Sequence, residues 1–198
     1  MTTDIKGEMR LDGDRPAVRL EQTYRAGVAD LWSAVTEPAR LVRWFARVYG
    51  DLQVGGSFEV VFDENDATQQ ASGRILECEE PSHLRVSWLF GDQVETVLTL
   101  DLHPTTDGAR LVLDHERLPV GSAAGLGAGW ETYLEQLGAM LAGGDAHGSS
   151  WDERWHQLEP LYRSELHRLV GHQAPSDEKG TRGGAGVAGQ PDDGTGRE

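Results

Sequence analysis

In ARLVLDHERLP, Leu111, Leu113 and His115 occupy alternate positions, so a strand here turns an imidazole to the same side as two leucines. Histidine exchanges its proton near neutral pH, and an inward imidazole is a candidate proton donor or acceptor. The plain alternative is a core histidine held by hydrogen bonds. Glu116 points to the opposite side of the same strand, so the adjacent pair does not work as joint acid and base. Three further side chains, Trp88, Trp130 and Tyr133, carry a hydrogen-bond donor on an apolar body, a form suited to orienting a ligand carbonyl or phenol. Paired with Tyr133, His115 is the combination on which acid–base chemistry would rest.

The remaining constellations argue against other chemistries. The seven histidines are scattered and Cys78 is the single cysteine, so no metal-ligating set of the usual spacing exists. One cysteine also excludes an internal disulfide. Gly55–Gly56 lacks the rest of a phosphate-cradling loop, the glycines at 121, 125, 127 and 129 match no dinucleotide fingerprint, and no serine stands in a nucleophile elbow. No cofactor is expected. With 18 Lys+Arg against 33 Asp+Glu the formal charge is −15, which repels phosphate backbones and anionic headgroups. Neither nucleic acid nor membrane insertion is expected, and with no leader-like or spanning apolar run the expected location is cytoplasmic.

These residues need elements to hold them. VRLEQTYR (Val18–Arg25) alternates as a half-buried strand. VADLWSAVTEPARLVRWF carries helical spacing broken at Pro38, which predicts two short consecutive helices. GSFEVVFD, ASGRILECEE, HLRVSWLF, VETVLTLDLHP and ARLVLDHERLP follow as short strands with turn signals between them, too close together for crossover helices, so the sheet is an antiparallel meander. A Gly/Ala/Ser-rich stretch from Gly121 to Gly129 is expected as a loop before the helix GWETYLEQLGAML. On that helix Trp130, Leu134 and Leu137 repeat at helical steps, joined by Tyr133 and Met140. Residues 1–15 are read as a mobile lead-in, 16–144 as one domain, 149–170 as an additional helical segment and 171–198 as a disordered Gly-rich tail. In the additional segment Trp151, Trp155, Leu158, Leu161, Tyr162 and Leu169 form an apolar stripe, which either packs on its own domain or forms a homodimer contact. Pro160 is expected to bend or restart it.

The early helix pair with TEPARLVRWF, the strand entry VGGSFEV, then GRILECEEPSHLRVSW, LDHERLP and GAGWETYLEQLGAML resemble, in order and spacing, the START-like (SRPBCC, birch-pollen-allergen) superfamily. Within it they resemble the branch of homologues of the activator of the ninety-kilodalton heat-shock protein ATPase, which has bacterial members. The resemblance covers about Arg15 to Gly144. It implies an α+β helix-grip fold, a curved antiparallel sheet wrapped around a long C-terminal helix, with a cavity that often receives an apolar or amphipathic small molecule. No invariant catalytic set comes with the family, so no catalytic residue is assigned.

The expected lining follows from strand phase and the helix face. Phe58, Val60 and Phe62 share one side, as do Val86, Trp88 and Phe90; Thr96, Leu98 and Leu100; and Leu111, Leu113 and His115. Trp130, Tyr133, Leu134 and Leu137 face them, and Trp44 and Phe45 form a side wall. The set is apolar with a few polar groups, the composition of a small-molecule pocket. The leading expectation is binding of a lipid-like or polyketide-like molecule by a carrier, sensor or regulator. A cyclase- or dehydratase-type enzyme using His115 and Tyr133, and a chaperone ATPase regulator acting by protein contact, are the alternatives.

Overall fold

The computed structural model describes residues 5–147 and 150–173. The first element is a hairpin: β1 (Lys6–Asp12) and β2 (Arg15–Tyr24) pair antiparallel, with Met9 opposite Val18 and Gly13 at φ 64° in the turn. This corrects the expectation of a mobile lead-in over 1–15, since Lys6–Asp12 is a paired strand. KGEMRLD shows little strand pattern because β1 is an edge strand, where charges discourage further pairing, and its conformation is set by β2.

α1 (Val28–Thr36) buries Leu31, Trp32, Ala34 and Val35. α2 (Pro38–Leu41) starts with Pro38 in its first turn, after Glu37 in extended backbone at φ −81°, ψ 123°. The ring of Pro38 disfavours helical backbone at Glu37, which separates the two helices. β3 (Arg47–Gly50), β4 (Ser57–Val61), β5 (Gln70–Glu79), β6 (His83–Phe90), β7 (Thr96–Thr105) and β8 (Gly108–Glu116) then run as an antiparallel meander. The sheet order is β1-β2-β8-β7-β6-β5-β4-β3, so β8 returns to pair with β2, Leu113 opposite Leu20 and His115 opposite Val18. Strand alternation places one apolar face of this sheet against α3 (Val120–Leu141). This is the helix-grip fold.

α3 begins earlier than its composition suggests. The stretch from Gly121 to Gly129 is helix, not loop. Each glycine costs about 1 kcal/mol against alanine in a helix interior, and neighbouring aromatic packing offsets that cost. A Cβ on Gly127 would lie 2.7 Å from Tyr162 Cδ1, and one on Gly125 would lie 3.3 Å from Trp155 Cζ2. The small residues let α4 (Trp151–Gln173) lie directly on α3. At its other end α3 stops at Gly143, whose φ of 77° suits glycine, while the Gly144 N–H reaches back to Ala139 O at 2.9 Å.

α4 packs against α3 and β1 of its own chain, and this is where its apolar stripe goes. Leu158, Tyr162 and Leu166 are buried, whereas Leu161, expected in the stripe, is 66% exposed. Tyr162 donates to Glu131 Oε2 at 2.5 Å, Arg154 pairs with Glu135 through two nitrogens, and the Met9 N–H donates to Glu165 Oε1 at 3.2 Å. Pro160 lies within the helix without ending it, and α4 continues past Gly171 to Gln173. The rest of the expected tail, 174–198, lies outside the described residues. Among the described residues no helix is long and apolar enough to cross a membrane.

A candidate ligand cavity between sheet and helix

α3 is tied to the sheet at His115, and further along the Tyr24 hydroxyl donates to its Leu134 carbonyl at 3.0 Å. His115 is fully buried. The Trp130 indole Nε1–H donates to His115 Nδ1 at 2.9 Å, and His115 Nε2 lies 2.8 Å from Thr96 Oγ1. Because Nδ1 accepts, the ring's single proton sits on Nε2 and is donated to Thr96, whose hydroxyl donates in turn to the Trp88 carbonyl at 2.8 Å. Burial pushes the imidazole pKa from 6.5 down to about 3, so the ring is neutral. Every polar atom of this chain of bonds is satisfied within the protein.

Beyond that anchor five rings build a wall. Phe45 stacks on Trp130 at 5.7 Å and meets Tyr133 edge-on at 4.8 Å; Phe62 lies edge-on to Phe45 at 5.3 Å, and Trp88 edge-on to Trp130 at 5.5 Å. On one side of the wall lies a cavity of about 290 Å³, near the lower end of the roughly 300–1,000 Å³ of small-molecule pockets. On the other side a groove runs between the start of α4 and the first half of α3.

The wall decides where the expected site residues fall. Trp44, Phe45, Phe58, Val60, Trp88, Leu98, Leu113, Trp130 and Leu134 line the cavity, together with Val86, Leu100 and Leu111 from the same strand faces. Phe62, Phe90 and Tyr133 border the groove instead, with Trp88 and Trp130 shared between the two spaces. His115 and Leu137 line neither; both are wholly enclosed by protein. His115 and Tyr133 therefore do not converge on one cavity. The acid–base pair considered from the sequence is not assembled, because the Trp130 indole occupies the imidazole nitrogen that such chemistry would need.

The sequence reading missed several lining residues, among them Val48 of β3, Leu52 just after it and Ile75 of β5. Trp32, Val35, Thr36 and Leu41 come from α1 and α2, which close one side; their helical spacing carried the signal. Cys78 comes from β5 and Glu80 from the turn that follows it, beside Leu84 of β6. A bulge between Ile75 and Glu77 shifts the pairing register, from Ile75 opposite Val86 to Cys78 opposite Leu84. The inward side of β5 thus switches from odd to even positions.

Glu80, exposed at the rim, is the one charged residue among those lining the cavity. Cys78 beside it is exposed as well, and its thiol pKa is raised by partial burial and by the Glu80 carboxylate. The Thr36 hydroxyl donates to the Trp32 carbonyl at 2.7 Å, leaving its lone pairs toward other donors. No Lys, Arg or His lines the space. What the arrangement can do chemically is hold an apolar body and present few polar contacts to it. Among the described residues no group of three or more His, Cys, Asp or Glu could hold a metal ion.

Comparison with known proteins agrees with this architecture. Residues 25–142 match the profile of a family described as "Activator of Hsp90 ATPase homolog 1-like protein". The crystal structure of CalU16 from Micromonospora echinospora superposes with a TM-score of 0.68 at 27% identity, covering 83% of this chain and 99% of that one. DynU16, a protein of the dynemicin biosynthetic locus, gives 0.60 at 26% identity over 66% of this chain and 49% of its own. CV1439 from Chromobacterium violaceum gives 0.57 at 25% identity over 63% and 96%. Among curated proteins no relative matches.

Proposed function

The chain belongs to the Activator of Hsp90 ATPase homolog 1-like family, and from that membership we propose that it binds an apolar or aromatic small molecule between sheet and helix, as a carrier, sensor or regulator. The cavity carries this reading: about 290 Å³ walled by Trp, Phe, Leu, Val and Ile side chains, with Thr36, Cys78, Glu80 and the indole N–H groups as its polar points. A space of that size, left unfilled in a core that otherwise packs tightly, forfeits contact energy that a guest would restore. Removal of the guest's apolar surface from water supplies the driving force, about 25 cal/mol per Å² buried. The occurrence of DynU16 in a biosynthetic locus supports searching for the guest among secondary metabolites, including polyketide-like aromatics.

Thermal-shift screening of lipids, aromatic metabolites and polyketides tests the proposal, with Leu84→Trp as its control. Leu84 is half-buried on the lining, so a larger side chain there narrows the cavity without entering the deep core. A true guest raises the melting temperature of the wild type by mass action and leaves Leu84→Trp unmoved. Saturating panels with no wild-type response, or equal responses from both proteins, would overturn it.

A further inference from the structure

Five aromatic donors stand near the cavity: Trp32, Trp44, Trp88 and Trp130 on its lining and Tyr133 beyond the wall of rings. The Trp44 N–H donates to the Ala34 carbonyl at 3.0 Å. The Trp130 N–H is committed to His115 Nδ1. Tyr133 borders the groove beyond the wall of rings. Trp88 lines the cavity and also borders the groove, is 5% exposed, and its Nε1–H is buried with no hydrogen-bond partner among the described residues.

None of the rings around Trp88 accepts that hydrogen bond. Its ring neighbours are Phe45, Phe58, Phe62, Trp130 and His115, with centroids 5.5–6.5 Å away. Four of them offer no lone pair, and both nitrogens of His115 are already engaged. A buried donor without an acceptor costs about 1–3 kcal/mol, and proteins seldom leave one so. The group needs an acceptor that the chain itself does not supply.

We propose that the Trp88 indole N–H is the recognition donor of the cavity, and that the guest is a neutral aromatic molecule bearing a carbonyl or ether oxygen. This rests on the guest-binding reading above and names its ligand class. Neutrality follows from the lining. A carboxylate would also accept the N–H, but no Lys, Arg or His lines the cavity to pair with it, and Glu80 at the rim would repel it. Desolvating an unpaired anion outweighs the gain of one hydrogen bond.

The test uses acetylnaphthalene, its deoxygenated counterpart ethylnaphthalene, and naphthoate. Wild-type protein should bind the ketone roughly tenfold more tightly than the hydrocarbon, the ratio expected of one buried hydrogen bond. Trp88→Phe keeps a ring and removes the N–H, so it should bind the two alike. A second readout needs no variant: in nitrogen-labelled wild type the Trp88 indole resonance, assigned through bonds, should move downfield with the ketone. The indoles of Trp32 and Trp44, which line the cavity alone, should respond as well, while those of Trp151 and Trp155, which border the groove alone, stay still. A ketone preference surviving in Trp88→Phe, a Trp88 resonance unmoved at saturation, responses confined to Trp151 and Trp155, or naphthoate binding as tightly as the ketone would each overturn the assignment. Equal binding of ketone and hydrocarbon would overturn it and leave guest binding standing. Failure of all three compounds to bind would remove the premise along with the proposal.

Discussion

Trp130 Nε1 and His115 Nδ1 are 2.9 Å apart, and that one bond joins the middle of α3 to the end of β8. It settles the tautomer of the imidazole, turns the indole plane into the wall of rings, and takes His115 out of the cavity chemistry. A residue that looks like a catalyst in the sequence is a structural rivet in the fold.

The first prediction concerns acid. Burial holds His115 in its neutral form, with a pKa near 3 against 6.5 for the free side chain. The folded pKa is depressed, so in the unfolded chain the ring takes up a proton that the folded ring refuses. The stabilisation is complete above pH 6.5 and drains as pH falls from 6.5 toward 3, by about 1.4 kcal/mol per unit. Urea unfolding across that range should show this slope. His115→Phe should be less stable at neutral pH by about 2 kcal/mol, having stranded the Trp130 N–H, yet lose less on acidification. A His115 ring proton resonance that titrates near pH 6.5 in folded protein would rule the account out.

Phe45 divides cavity from groove. It touches Trp44, Phe62, Trp88, Trp130 and Tyr133 at centroid distances of 4.8–6.5 Å. Phe45→Ala should cost about 3 kcal/mol of stability and open the dividing wall. Guests too large for the wild type should then bind, with small ones weakened. Calorimetric titration with a graded series of ring systems reads this directly, and an unchanged size limit would count against the wall.

The seat of α4 depends on a missing side chain. Gly127→Val places its new atoms where Tyr162 lies, 2.7 Å from the first of them. The clash should displace α4, expose Trp151 and Trp155 to quencher, and lower stability by about 2 kcal/mol. A variant with wild-type melting and unaltered tryptophan accessibility would show that the two helices are not pressed together there.

Alkali provides the opposite limb of the pH profile. Burial raises the phenol pKa of Tyr24, Tyr133 and Tyr162 above the ordinary 10.0, and the Glu131 carboxylate adds to the effect at Tyr162. These phenols resist ionising while folded and ionise freely when unfolded. Stability should thus be intact below pH 10 and fall as pH rises beyond it. Absorbance of the phenolate should show these three side chains ionising together with loss of tertiary circular dichroism, and ionisation preceding unfolding would refute their enclosure.

The parts of the fold most legible in the sequence are those with one simple period and one buried face. Val86, Trp88, Leu98, Leu100, Leu111 and Leu113 could be placed from alternation alone, because a strand half in water must alternate. Cys78 and Glu80 escaped because a bulge changes parity without leaving a mark in the pattern. β1 escaped because the charges suited to an edge hide its partner-imposed conformation, and four-residue β3 is too short to show a period. The glycines of α3 misled because propensity reads them as loop, while the rings of α4 make helix the better solution. Tyr133 and Leu134 are neighbours on one helix, yet they border different spaces. Successive residues on a helix point about 100° apart, and Phe45, stacked on Trp130 and edge-on to Tyr133, fixes where one space ends and the other begins.

The pairing of β2 with β8 has a consequence for synthesis. The β1–β2 hairpin leaves the ribosome before the rest of the sheet, with its second strand unpartnered on one side until β8 has emerged. Closing so long a loop is slow, since the entropy of the intervening chain is spent before any contact rewards it. Nascent chains should therefore carry an adhesive, half-satisfied edge while β3 to β8 are being made, and mature protein should be recovered best where elongation is quick or a holding chaperone is at hand.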